Sequence, residues 1–250
     1  MIKPALLKKD RFYYTCLCTG TSHLLGKELK VVGTPFIQQD SMLMCCAHSS
    51  IWMSTRYMSS AYKYPEVLPH EISEYASKSF VSGGSRTIPT EGLSAVDIFN
   101  CFINLGYSPY YFDKPDRNKF RTGPKGLNDY KEALKHWKPE RNIHRYIESG
   151  LPVIVLVREH SLLAIGHTFK PNRWSGQSVH EKYCSTPGLN IIQSDEWVDG
   201  FIIQDDSLSP YRLLPVTKDD SLAYKNEDFE RLLPTDKNKY NTVIDDVIGY

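Results

Sequence analysis

Two adjacent thiols, Cys45 and Cys46, stand where a loop gives way to a helical pattern, and a thiol in that place can act as a nucleophile. Pro35 to Met44 reads as extended chain and loop. From Cys46 to Tyr62 no glycine or proline interrupts the sequence, and Ala47, Ile51, Met58 and Ala61 recur at helical spacing, with Ser54 and Thr55 filling the gap. The serines make helix propensity middling, so burial must hold this helix. The free N–H groups and the dipole at a helix N-terminus favour an anion, and the thiolate is the reactive form of cysteine. Gln38 and Gln39 lie just upstream, where a side-chain amide can donate to a developing oxyanion, as can a cysteine's own backbone N–H. The plain alternative is that both cysteines are small buried apolar residues.

A nucleophilic thiol needs a base. His160 and His167 bracket the segment Ser161 to Gly166, a strand by its aliphatic run. Seven residues of extended strand span about 23 Å, and strict alternation sends the two rings to opposite faces, so only one of them can meet the sulfur. A third group should orient the imidazole. Asp205 and Asp206 follow the β-prone run Phe201 to Gln204, where a neighbouring strand can bring a carboxylate beside a histidine. Singly, each feature has a bland reading, as a satisfied hairpin histidine or an Asp-Asp-Ser turn. Together they form an ordered set of Cys, His and Asp, each at the end of a regular element.

Metal and cofactor chemistry have weaker footing. Cys16 and Cys18 with His23, or Cys45 and Cys46 with His48, group several ligand types, but neither follows the paired spacing of common zinc sites. His48 can also tune a neighbouring thiol or simply cap the site. There is no glycine-rich phosphate loop and no dinucleotide fingerprint, so no cofactor is expected.

The elements that must position these residues follow from periodicity and punctuation. Residues 1–34 read as a β-rich lead-in, with short runs at Phe12 to Tyr14 and Leu29 to Val32. Helices are predicted over 46–62, 71–79 and 94–105, the last with Ser94 as N-cap and Gly106 as stop, then over 127–137 and 141–149. Ser82 to Ser85 is a loop, and 113–126 an exposed, charged insertion. Strands are predicted at 107–112, 152–157, 161–165, 201–203 and 211–214, the second and third forming a hairpin across Arg158, Glu159 and His160. Residues 216–250 are polar, yet Val243, Ile244, Val247 and Ile248 turn apolar again, as if the chain stopped inside a structured element of a longer parent. Helices first and an antiparallel sheet second argue for an α+β fold.

The 250 residues suffice for one large domain with its own core. With 41% hydrophobic and 24% charged residues the composition is globular, which excludes a disordered or fibrous chain. Thirty basic residues against 29 acidic ones leave a net charge of +1, so no basic field exists for nucleic acid. No segment has the length and apolarity of a signal peptide or a membrane span. The expectation is a cytoplasmic protein, with its six cysteines reduced.

The same residues resemble the papain-like cysteine peptidases, and within them the bacteriocin-processing, double-glycine-leader branch. That branch carries Gln…Cys-Gly-Pro-Ala-Ser-Leu-Ala-Met, a His that begins an aliphatic strand ending in Gly, and an Asp after another strand. Cys46, Ser50 and Met53 are similar to the first motif, His160 to Gly166 to the second, and Phe201 to Asp205 to the third. The resemblance spans roughly residues 35–215 and leaves 1–34 and 216–250 as N- and C-terminal extensions. It departs at Ala47 and His48, where the family has Gly-Pro. It implies a papain-like fold and a thiol hydrolase acting on a protein or peptide substrate, with Cys46 as nucleophile, His160 as base, Asp205 as orienter and Gln39 as oxyanion donor. Gln39 lies six residues before Cys45 and seven before Cys46, so its spacing favours Cys45, while the Ser50 and Met53 register favours Cys46. Asp206 stands as the alternative to Asp205. Transglutaminases, deamidases and thiol acyltransferases run the same acyl-enzyme chemistry, and an inactive site would leave a peptide-binding module.

Overall fold

A computed structural model describes residues 12–39, 46–77, 92–120, 123–157, 160–169, 194–216 and 246–249. Cys45, Cys184, the loop at Ser82 to Ser85, the hairpin turn at Arg158 and Glu159, Val243 and Ile244 lie outside these residues.

Along the chain the strands are β1 (Phe12–Thr15), β2 (Cys18–Leu24), β3 (Lys27–Gly33), β4 (Tyr110–Asp113), β5 (Val153–Val157), β6 (His160–Phe169), β7 (Val198–Asp205), β8 (Ser209–Pro215) and β9 (Asp246–Gly249). The helices are α1 (Cys46–Tyr62), α2 (Pro69–Ser77), α3 (Ala95–Asn104), α4 (Pro124–His136) and α5 (Pro139–Glu148). The fold is α+β. One antiparallel sheet runs β4-β9-β5-β6-β7-β8, with β1 paired to the far half of β6, and β2–β3 form a separate hairpin. The two flanking segments are therefore built into the sheet. β1 comes from the lead-in, and β9, from the C-terminal end, sits between β4 and β5.

The centre of the sheet follows from its sequence. β5 is Val153-Ile154-Val155-Leu156-Val157, a run without alternation, and such a run suits a strand covered on both faces. β6 and β7 are buried almost throughout. α5 begins with Pro139 at its first turn and lays Ile143 and Ile147 into the core. It ends in a left-handed Gly150 at φ 77°, with Gly150 N–H donating to Ile147 and Leu151 N–H to Tyr146, and that turn delivers the chain into β5. The hydroxyls of Tyr57 and Tyr62 on α1 both donate to the Gly150 carbonyl, tying the ends of α1 and α5 together. α3 starts at the expected cap, where the Ser94 hydroxyl accepts from Asp97 N–H and the Asp97 carboxylate accepts from Ser94 N–H.

α1 is held by burial, as its serines required. Ile51 and Met53 are fully buried, and so are Ser54 and Thr55. The Thr55 hydroxyl donates back to Ile51 O at 2.9 Å, and the Ser50 hydroxyl donates across to Ser161 O on β6 at 3.2 Å. Small hydroxyl side chains bring the helix backbone close to β6 while keeping their own polar atoms bonded.

One sequence expectation fails here. β6 does not alternate strictly, because Ala164 pairs with Ile203 but Gly166 pairs with the very next residue of β7, Ile202. Ile165 is the extra residue of a β-bulge, and a bulge resets which face each side chain takes. Leu163 opposes Gln204 and His167 opposes Phe201, so Leu163 and His167 face opposite ways although four apart. His160, three residues before Leu163, therefore shares a face with His167. Both α1 and α5 pack on that face. Gly166 is required at the bulge, since a Cβ there would overlap the Tyr14 carbonyl of β1.

Candidate active site

Cys46 is the first residue of α1, part-buried, with a free thiol. Cys45, the alternative nucleophile, lies outside the described residues. The backbone N–H groups of the first turn of α1 have no partners within the helix. Cys16 and Cys101, by contrast, are sealed in the core. Burial pushes the Cys16 thiol up to about 12, and its Sγ contacts the Ile147 carbonyl, which is the inert behaviour of a structural cysteine. Cys18 turns to Gly33 O, so Cys16, Cys18 and His23 do not converge on a metal among the described residues.

His160 opens β6 opposite Val157, and the Cys46 thiol lies near enough to its ring to raise the ring's proton affinity. Its Nε2 lies 3.2 Å from Asp205 Oδ1, on the last residue of β7. With Nε2 turned to the carboxylate, the Nδ1 edge is left for the sulfur. The imidazole is 32% exposed and the Asp205 side chain 7%. Asp205 Oδ1 also accepts from the backbone N–H groups of Ser207 and Leu208, at 3.0 and 3.2 Å. The turn after β7 thus fixes the carboxylate, and the carboxylate fixes the ring. Burial alone lowers the proton affinity of His160, but hydrogen bonds to Asp205 and Cys46 and their charges more than offset it, raising the imidazole to about 10.

Asp206 takes a different part. Its Oδ1 lies 3.8 Å from His160 Nε2, outside hydrogen-bonding distance of the ring. Burial pushes this carboxyl up, toward the neutral acid. Geometry thus couples Asp205, rather than Asp206, to the histidine. His160, Asp205 and Asp206 also form one of two clusters among the described residues whose ligand atoms lie close enough to share a cation.

Gln39 reaches the same corner from the loop before α1. Its N–H donates to Asp206 O at 3.2 Å, and its Nε2 donates to the Ser207 hydroxyl at 2.5 Å. The glutamine is docked on the turn that holds Asp205. The bond to Ser207 uses one of the two Nε2 hydrogens, and the second is the one an oxyanion would take. His48 faces away from this cluster and shares a 3.0 Å hydrogen bond with Ser73 of α2. Burial lowers its proton affinity, and it ties α1 to α2.

The structure brings Cys46, His160, Asp205 and Gln39 into one neighbourhood and leaves His167 at the far end of β6. Sequence reading did not find the amides of Ser207 and Leu208 that hold Asp205. The signal for them is the Asp-Asp-Ser turn itself, because an aspartate at such a turn commonly accepts from backbone two and three residues on.

No helix among the described residues is long and apolar enough to cross a membrane. No protein-family model matches the chain, and no curated protein matches it.

Proposed function

We propose that the protein is a thiol hydrolase of papain-like architecture that cleaves a peptide or isopeptide bond through Cys46, His160 and Asp205. The observation that carries this reading is an imidazole held through Nε2 by a buried, turn-anchored carboxylate, with the Cys46 thiol near enough to raise the ring's proton affinity. In the first half-reaction the Cys46 sulfur, having already given its proton to His160, attacks the acyl carbon. The tetrahedral oxyanion is met by N–H groups at the start of α1 and by the Gln39 amide. Its collapse breaks the C–N bond, and His160 gives its proton to the leaving amine. In the second half-reaction His160 takes a proton from water as the water oxygen attacks the thioester, and the acid and the free thiol are released. Asp205 keeps the ring in register and favours its protonated form throughout.

The same acyl-enzyme can pass to an amine in place of water, as in a transglutaminase or acyltransferase, or form on a glutamine side chain, as in a deamidase. Intact mass measurement of protein substrates separates these outcomes, since a cut, a mass gain and a one-dalton change differ. The reading is tested without a known substrate by alkylation. Iodoacetamide at pH 6 should label Cys46 faster than a free cysteine, and His160→Ala should abolish the difference. Labelling of Cys46 no faster than free cysteine would leave a peptide-binding module in its place.

A further inference from the structure

We propose that His144, Glu148 and His167 form a binding site for one divalent transition cation of the zinc class, separate from the Cys46–His160 pair. His144 and Glu148 are one turn apart at the C-terminal end of α5, and His167 projects toward them from β6. The bulge at Ile165 is what turns His167 to that face. Glu148 Oε1 lies 2.6 Å from His167 Nε2 and 3.8 Å from His144 Nε2, and the three ligand atoms fall within 4.8 Å of one another.

The protons do not suffice for this arrangement. Both imidazole Nε2 atoms and a carboxylate oxygen converge, and a single N–H, on His167, can bridge to Glu148. His144 Nε2 is left without a hydrogen-bond partner, although its side chain is only 4% exposed. A buried ring nitrogen aimed at a carboxylate it does not bond is costly unless a positive charge stands between them. A cation would accept all three lone pairs at once. Tetrahedral zinc with bonds of about 2.0–2.1 Å places its ligand atoms roughly 3.3 Å apart, between the two measured separations, and the flexible end of Glu148 can take up the difference.

Three further features favour a cation. The cluster sits on the last turn of α5, where the helix dipole is negative. Of the charges that reach His144, those of Glu148 and Asp195 come ahead of the opposing Arg145. Glu148 is 44% exposed, so an ion can enter and a water can complete the coordination. Two imidazoles with one carboxylate select zinc, cobalt or nickel over magnesium and calcium, which prefer all-oxygen sites. The bound ion would clamp the end of α5 to β6.

The test uses the full, untagged chain, stripped with a chelator and titrated with Co2+ and with Zn2+ by calorimetry and visible absorption. One ion should bind per chain, with the intense visible bands of low-coordinate cobalt, and zinc should raise the melting temperature. Glu148→Gln and His144→Ala should each weaken binding by at least about a hundredfold. Glu148→Gln decides the matter if His144→Ala fails to fold, since its side chain is half in solvent. Asp205→Asn should leave binding unchanged. Absence of saturable binding, equal binding by Glu148→Gln, or loss of binding in Asp205→Asn instead would overturn the proposal. None of these readouts depends on Cys46, so the outcome is independent of the hydrolase reading.

Discussion

At the start of β6, His160 is one-third open to solvent and leans on a carboxylate that is almost wholly buried; at its far end, His167 is fully buried and leans on a carboxylate that is almost half exposed. Strand and face are the same, yet the two imidazoles are driven in opposite directions. At His160 burial opposes the proton, but bonds to Asp205 and Cys46 win and the ring is raised to about 10. At His167 burial is again the largest influence, and the bond to Glu148 does not overcome it, so the ring is lowered. A carboxylate screened by water offsets desolvation less than one enclosed with its partner. The position of the carboxylate thus decides whether a histidine carries a proton or presents a lone pair.

The sharpest way to break this contrast is to remove the groups that make the first end reactive. Cys46→Ala and His160→Ala should each lower hydrolysis by on the order of 10⁴-fold or more. Glu148→Gln, at the other end, should leave the alkylation rate of Cys46 within about twofold, because roughly 20 Å of strand separates the sites. Residual hydrolysis by Cys46→Ala at wild-type rate would move the nucleophile elsewhere.

Asp205→Asn should cost about 10²–10⁴-fold in rate, and Asp206→Asn less than about tenfold, since only Asp205 is hydrogen-bonded to the ring. NMR titration of His160 should show its transition falling from near 10 in the wild type toward the ordinary histidine range in Asp205→Asn. An unmoved transition would mean that Asp205 does not hold the ring.

The stability consequence has a definite sign. The folded His160 binds its proton more tightly than the unfolded one, whose value is 6.5. Its stabilisation is therefore complete below about pH 6.5, declines as pH rises toward 10, and is gone above it. Chemical denaturation of wild type and Asp205→Asn should show a stability gap that is widest in mild acid and closes with increasing pH. A gap that widened toward pH 10 would reverse the assignment.

Gly166→Ala probes the bulge that puts both histidines on one face. The new methyl meets the Tyr14 carbonyl, a backbone atom that cannot step aside without loosening β1. A loss of about 2–4 kcal/mol, read as a lower denaturation midpoint, is expected. Ser94→Ala, far from both sites, should cost only about 1 kcal/mol through the α3 cap.

Much of this fold was legible in advance because local signals and burial agree. The uninterrupted run after Cys46 set the bounds of α1, the Ser94 cap those of α3, and the continuous aliphatic run of β5 that strand and its hairpin with β6. The strand end at Asp205 is decided by its turn chemistry, which is local too. β9 was harder. Its apolar residues suggested an element, but a short strand from the C-terminal end inserted between β4 and β5 depends on partners ninety or more residues away in sequence.

From the sequence alone came the candidates Cys45 or Cys46, His160, and Asp205 or Asp206 behind an upstream glutamine, and an α+β order of elements, because residue type, helix period and strand ends are properties of neighbouring positions; the narrowing to Cys46, Asp205 and Gln39 is what the family resemblance implied. The facing of side chains was decided only by the tertiary structure. One extra residue at Ile165, admitted by a glycine against β1, reverses the alternation that the strand pattern implied and puts His167 on the side of α5. Register is a relation between strands, and a single chain segment carries no record of which carbonyl it will meet.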